Sequence, residues 1–600
     1  MNFKIPAGGR DVDWRLVAVV GLVVSVVLAL RTPDIDSENV GNWFHARLFL
    51  HDFGFIDVAR SPLYQLYLVP FSLMPHPASI IVERAASAFL CFLPISAVMW
   101  LCFGRGIGLA ASVFATPDVL LTTPTSQAFA LAAICLALYI RMRRPFTGVS
   151  NVNAAYALML VAWLFRTNTI VVLAVVAAYD LIGAVVERRW RDLLKGCGLR
   201  RHWPVAAAVV ATVMFATVQS PHPWNTYQQI DMTWQPHRGQ MATVISHNVA
   251  NHYRYREPAT GGLPFDAYFM HKKFFGDAET MIEMVRANPG ELVRHAWRNT
   301  GAFLTTAVSM TNVGQFMLRF TGLTGQGGRG GSLDHRYVAV GLGAILAALF
   351  SAMAWRLWSD PNRRELAVFA VGFAVAGVVA GLLTNGSAVR ILHVVYGVFM
   401  IVGAYWAERS VAWLNAPGRG PTVVAGSGRA QALAAALAAG TVLFVFTQGG
   451  WARADARTGW AGVAWSIAAP ATPGSGTLFY AGKNDPLFKV LDTIWPRCRG
   501  LMTVEMPQFV GAFSRFPPAR LYSPFEIPPF GRLGQSDYAG LRRDRVNCVY
   551  APHHVMKPGP GAITNIKLRY DSYIGPYMQS LLADGAEKVV LPSGVLVILN

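Results

Sequence analysis

Charge is what this chain has least of. Only 14% of its 600 residues are Asp, Glu, Lys or Arg, against about a quarter in soluble domains. Acidic residues are the scarcer sign, 33 against 52 basic, for a net charge of +19. No recognisable nucleic-acid-binding motif accompanies that excess, so no nucleic-acid partner is expected. Also absent are a Walker motif, a GxGxxG turn after a strand, a legible Ser-His-Asp arrangement and any repeat of fixed period. The histidines crowding 222–295 show no HExxH-type spacing, so no metal site is indicated. Cysteine is sparse, with six in all.

What is abundant is apolar sequence: 53% hydrophobic residues and a mean hydropathy of +0.36. A membrane span needs about 20 mainly apolar residues, and on that scale the chain holds about eleven candidates. They centre on 16–30, 85–103, 107–121, 128–140, 154–165, 170–186, 205–218, 338–355, 366–383, 391–406 and 432–446. With the N-terminus in the cytoplasm, the loops holding Arg105, Arg141 to Arg144, Arg188 to Arg201, Arg356 to Arg364 and Arg409 to Arg419 all fall inside, as positive-inside asymmetry requires. The basic excess then belongs to short connectors. The first run is not a cleaved signal, because no small-x-small site follows it.

This topology leaves three regions outside: loops 32–78 and 220–336, and everything from 448 onward. The expected fold is an α-helical polytopic membrane domain, 1–447, with a soluble exterior α/β or α+β domain, 448–600. In the latter, 476–482 reads as a strand, 487–494 as helical, and 588–599 as a hairpin about Pro592-Ser593-Gly594. Cys498 and Cys548 are the only cysteines in this domain, and in an oxidising compartment they are expected to form a disulfide. Asn288-Pro289-Gly290-Glu291 predicts a capped helix start. The helix after it, with Leu292, Val293, Ala296 and Trp297 on one face, reads as lying in the interface. Residues 301–320 read as interfacial or re-entrant.

Three carboxylates, Asp34, Asp36 and Glu38, follow the first run. A charge at a bilayer boundary is costly without a role or a partner. An aromatic stretch containing His45 comes next, then Arg60-Ser-Pro-Leu-Tyr64. Arg166 ends a middle span, and Asn385-Gly-Ser-Ala-Val-Arg390-Ile-Leu-His393 opens a late one. Each has a plain alternative: a turn or cap for Asp34, headgroup snorkelling for Arg60 and Arg390, and an interfacial belt for aromatics such as Trp224. Asp180 reads as a paired or solvated carboxylate, and Glu83-Arg84 as interfacial or paired.

The order of these motifs resembles the GT-C superfamily of membrane glycosyltransferases, the aminoarabinose, mannosyl and arabinofuranosyl transferases among them. The match is an Asp-x-Glu element after the first span, a basic-x-Pro-Leu-Tyr turn, Asn-Pro-Gly before an interfacial helix, and a late Arg. It covers roughly residues 10–450. The resemblance implies transfer of a monosaccharide from a polyprenyl-phosphate donor to a glycan, glycolipid or protein acceptor, on the exterior face of a bacterial inner membrane. It assigns Asp36, Glu38 or Asp34 as the base, and Arg60, Arg390 and Arg166 to the donor phosphate. His45, Tyr64, Trp224 and His393 become sugar or acceptor contacts. No cofactor beyond the donor is required. Many relatives carry a second acid where this chain has Thr125-Ser126-Gln127, so a divalent metal is possible in the family but not indicated here. Two other readings compete: a polymerase or ligase using pyrophosphate-linked glycans, which should rely on Arg and His, and a lipid-linked substrate transporter, which should show midplane charges and pseudo-repeats.

Overall fold

In a low-dielectric surround every backbone N–H and C=O must be satisfied within its own segment, so long apolar runs become helices. The computed structural model describes residues 11–31, 37–51, 61–74, 78–122, 125–146, 150–186, 280–314, 333–383, 394–415, 428–446, 496–503, 521–522, 546–556, 574–592 and 594–600, with short pieces at 207–210, 245, 248–249, 271, 273–278 and 490–493. The expected strand at 476–482 lies outside these residues. Only 207–210 of the expected 205–218 span and 490–493 of the expected 487–494 helix are described, and both pieces are helical.

The first helix, α1 (Trp14–Arg31), is followed by α2 (Ser37–His51) and α3 (Pro62–Ser72). The aromatic stretch as far as His51, and Pro62-Leu63-Tyr64, are therefore themselves helical. Pro62 is suited to the first turn of α3, where its missing N–H removes nothing. Then come α4 (Ala78–Phe103), α5 (Arg105–Thr122), α6 (Thr125–Arg143), α7 (Asn151–Phe165) and α8 (Ile170–Val186). After them stand α9 (Met281–Ala287), α10 (Pro289–Ser309), α11 (Leu333–Ser359), α12 (Arg364–Leu383), α13 (Val394–Leu414) and α14 (Gly428–Phe446). Among the described residues four helices are long and apolar enough to cross a membrane: Ala78–Phe103, Thr125–Arg143, Val340–Ser359 and Arg364–Leu383. Trp14–Ala29, Asn151–Phe165, Ile170–Val186 and Ala430–Phe446 are shorter apolar helices. This is the make-up of a helical membrane protein.

Asn288 caps α10, its Oδ1 accepting from Glu291 N at 3.0 Å. The helix runs on through Ser309, so the interfacial helix and much of the segment expected to be separate are one element. Val293 and Trp297 are exposed while Glu291 and His295 are buried. The polar side is turned inward because it caps α12: Asn299 Nδ2 donates to the Leu382 carbonyl at 3.0 Å, and His295 lies 3.3 Å from that of Leu383.

Contacts fix the helix directions. Cys102 and Met142 meet near the ends of α4 and α6, so these two run alike. Arg84 near the start of α4 reaches the Leu120 carbonyl near the end of α5, so those two run oppositely. One end of the bundle gathers ion pairs. There Arg141 is held between Asp180 at 2.7 Å and Glu365 at 2.8 Å, and Arg363 is bidentate to Glu408 at 2.5 and 2.8 Å. Arg143 pairs with Asp11. Asp180, expected to be paired or solvated, also accepts from Tyr156 at 2.6 Å.

The C-terminal part carries a five-stranded mixed sheet of order β2-β1-β3-β5-β4, from β1 (Leu501–Thr503), β2 (Leu521–Tyr522), β3 (Cys548–Pro552), β4 (Glu587–Val590) and β5 (Gly594–Ile598). The β4–β5 hairpin turns where Pro-Ser-Gly stands, pairing Val590 with Val595. Cys498 and Cys548 form a disulfide with Cα atoms 5.7 Å apart. Asn547 ties the strand ends together, accepting from Arg499 N and donating to the Arg497 and Leu599 carbonyls. β3 and β5 are buried at every position, and alternate side chains point to opposite faces. One face, with Val549, Ala551, Val595 and Val597, packs on α15 (Gly575–Ala583) through Tyr577, Met578 and Leu581. The other, with Leu501, Cys548, Tyr550, Leu596 and Ile598, packs on Trp43, Phe44, Tyr64, Leu68 and Ile80.

Candidate functional site

The end of the bundle away from the arginine pairs holds a different kind of cluster. Ser61 precedes α3, and three residues later Tyr64 points into the protein, fully buried. Its hydroxyl donates to Glu83 Oε1 at 3.1 Å. One turn along α4, Ser87 Oγ donates to the same oxygen at 2.6 Å and lies 3.1 Å from the Tyr67 hydroxyl. Glu83 is only 2% exposed. Burial, and then the nearby Glu83 charge, push the Tyr64 phenol well above its usual range, while a bond with Thr125 pulls it back. Tyr64 is accordingly a neutral hydrogen-bond donor.

Around this cluster runs a chain of rings. Tyr64 stacks on Tyr67 at 5.8 Å, Tyr67 meets Phe129 at 4.7 Å, and Phe129 stacks on Phe165 at 5.3 Å. Phe165 is the last residue of α7, so Arg166 emerges at the same corner, its backbone N–H donating to the Ala162 carbonyl. A Cβ placed on Gly397 of α13 would lie 3.2 Å from Leu131 of α6, so the first turn of α13 lies beside the second turn of α6.

Several buried polar atoms here have no hydrogen-bond partner: Asn42 Oδ1 in α2, Ser61 Oγ, Ser126 Oγ, and both amide atoms of Gln127 in the first turn of α6. Such atoms are rare in folded proteins, since leaving one unmet costs about 1–3 kcal/mol. In the arginine clusters, by contrast, donors and carboxylates meet one another.

Of the residues singled out from sequence, Tyr64 and Arg166 share this corner, and His45 is buried in α2 with its ring 5.4 Å from Phe44. Glu38 falls in the first turn of α2, its side chain outside the described residues. Asp34, Asp36, Arg60, Trp224, Arg390 and His393 also lie outside them. No group of three or more His, Cys, Asp or Glu able to hold a metal occurs among the described residues. Glu83 is the residue that sequence reasoning undervalued. Its one legible signal was a carboxylate in the second turn of an apolar helix with a serine four residues on. No family model, curated protein or solved structure matches the chain.

Proposed function

We propose that the chain is an integral membrane glycosyltransferase of the GT-C type, with about eleven spans, a cytoplasmic N-terminus and an exterior C-terminal domain in a bacterial inner membrane. It moves a monosaccharide from a polyprenyl phosphate to a hydroxyl of a glycan, glycolipid or protein. The observation that carries this reading is the buried polar cluster at the end of the bundle away from the arginine pairs. Glu83, Tyr64, Tyr67 and Ser87 are bonded together there, with unmet polar atoms on Ser61, Ser126 and Gln127 in adjoining elements. A polar, hydroxyl-bearing ligand would supply bonds that the protein leaves open.

The reaction divides among the chain's residues by charge. Asp36, with Glu38 and Asp34 as neighbours, takes the proton from the acceptor hydroxyl as its oxygen bonds to the anomeric carbon. The bond from that carbon to the phosphate oxygen breaks, with inversion. Arg60, Arg390 and Arg166 offset the growing charge on the departing phosphate through their planar forks. Support that strengthens as the bond breaks favours the transition state over the bound donor.

The test uses membranes containing the full chain and radiolabelled polyprenyl-phosphate mannose, arabinofuranose or aminoarabinose. Transfer by wild type, its loss in Asp36→Asn and retained donor binding are the expected results. Arg390→Ala should lose most turnover and Arg390→Lys only part, with Arg60 behaving alike. Wild-type turnover in Asp36→Asn would remove that residue as the base, and normal turnover in both alanine variants would leave the arginines as headgroup anchors.

A further inference from the structure

We propose that the C-terminal sheet is a clamp that positions α2 and α3, and through them the ends of the reactive loop; this rests on the glycosyl-transfer reading of that loop. Gly41 to Ala46 are buried in unbroken succession. Successive helical residues step around the axis by about 100°, so six buried in a row mean a helix enclosed on every side. Two walls of that enclosure are visible. One is α3, with Tyr64 and Leu68. The other is the sheet face bearing Leu501, Tyr550, Leu596 and Ile598, joined by Leu491.

The disulfide lies in this joint. Cys498 and Cys548 are both fully buried and belong to the same apolar cluster as Trp43 and Phe44. Asp492 lies within electrostatic reach of Arg47 on α2, a half-buried cation on the rim of the contact. α2 begins one residue after Asp36, and α3 begins two residues after Arg60. Consecutive Cα atoms are about 3.8 Å apart, so the helix starts fix the chain ends between which those residues are strung. The sheet's second face is thus completed by the loop, and the loop by the sheet.

The experiment separates docking from transfer. In the full-length protein in detergent, the rate at which a phosphine reductant opens Cys498–Cys548 is followed by alkylation and mass spectrometry, because exchange needs access to the sulfurs. Arg47→Asp and Asp492→Arg should each speed reduction by about tenfold and lower transfer in parallel, since reversal sets like charges against each other at a partly desolvated contact. The combined swap should restore both. Arg47→Gln and Asp492→Asn serve if a reversal prevents accumulation, and should move both readouts in the same direction by less. Reduction as slow as wild type in every variant, or lost transfer that the swap does not rescue, overturns the clamp. If the swap governs reduction but no form of the protein transfers sugar, the docking stands and the glycosyl-transfer reading falls.

Discussion

Tyr64 and Glu83 are nineteen residues apart in the chain and 3.1 Å apart in space, the phenol of one helix donating to the carboxylate of the next. The bond joins α3, which the C-terminal sheet covers, to α4, which crosses the bundle. At the opposite end Arg141 and Arg363 meet Asp180, Glu365 and Glu408. The hydrogen-bond donors to Glu83 are hydroxyls.

Tyr64→Phe keeps the ring and removes the donor, leaving Ser87 as the one hydrogen-bond donor to Glu83. A loss of about 1–3 kcal/mol is expected for the exposed need of a buried acceptor. In a Glu83→Gln background the same change should cost less, because the charge that makes the bond strong is gone. Thermal unfolding of the solubilised protein in a double-mutant cycle measures the difference, and additive effects would show that the bond contributes nothing specific.

Arg141 is 4% exposed between Asp180 and Glu365. Arg141→Ala leaves two carboxylates facing each other without their cation. The expected cost is about 3–5 kcal/mol, the range for removing one partner of a buried pair. Arg141→Lys should fall between, since one ammonium cannot fork to both acids. The same unfolding assay decides, and a wild-type midpoint for Arg141→Ala would mean that the cluster is solvated.

A Cβ on Gly108 would sit 2.6 Å from the Met99 carbonyl carbon and the Trp100 Cα, backbone atoms that cannot swing aside. Gly108→Ala must therefore push α5 away from α4, at a cost of about 1–3 kcal/mol. Gly106, two residues earlier, has open space where its Cβ would be. Gly106→Ala is the control and should leave the unfolding midpoint close to wild type. Equal behaviour of the two would mean that the helices separate freely.

The topology is open to a reporter. A phosphatase that folds only after export, fused behind Asn600, should be active if, as proposed, the N-terminus is cytoplasmic and about eleven spans carry the chain out. Activity confined to the cytoplasm would overturn that arrangement and move the sheet to the other side.

Local signals in the chain were enough for much of this architecture. Uninterrupted apolar runs mark α4 and α12, because length and hydropathy alone decide whether a segment can satisfy its backbone in lipid. Asn288-Pro289 marks the start of α10 through a side chain reaching three residues ahead. Pro-Ser-Gly between two β-branched runs marks the β4–β5 turn. Where the signal was weaker, the reading was coarser: the stretch around Trp43 read as an aromatic loop, and it is a helix whose burial comes from another part of the chain.

What only the tertiary structure decided is which surfaces meet. Tyr64 and Glu83, Arg141 and Glu365, and Trp43 and the sheet are each joined across different elements, the last two across hundreds of residues. Periodicity tells which side chains need covering, but complementary faces are not specified by either segment alone. The β3 and β5 strands are buried at every position, so both faces of the sheet are covered. That α15 would cover one and the Trp43 helix the other followed from packing, because close-packed side chains accept only a partner whose shape and remaining apolar surface fit.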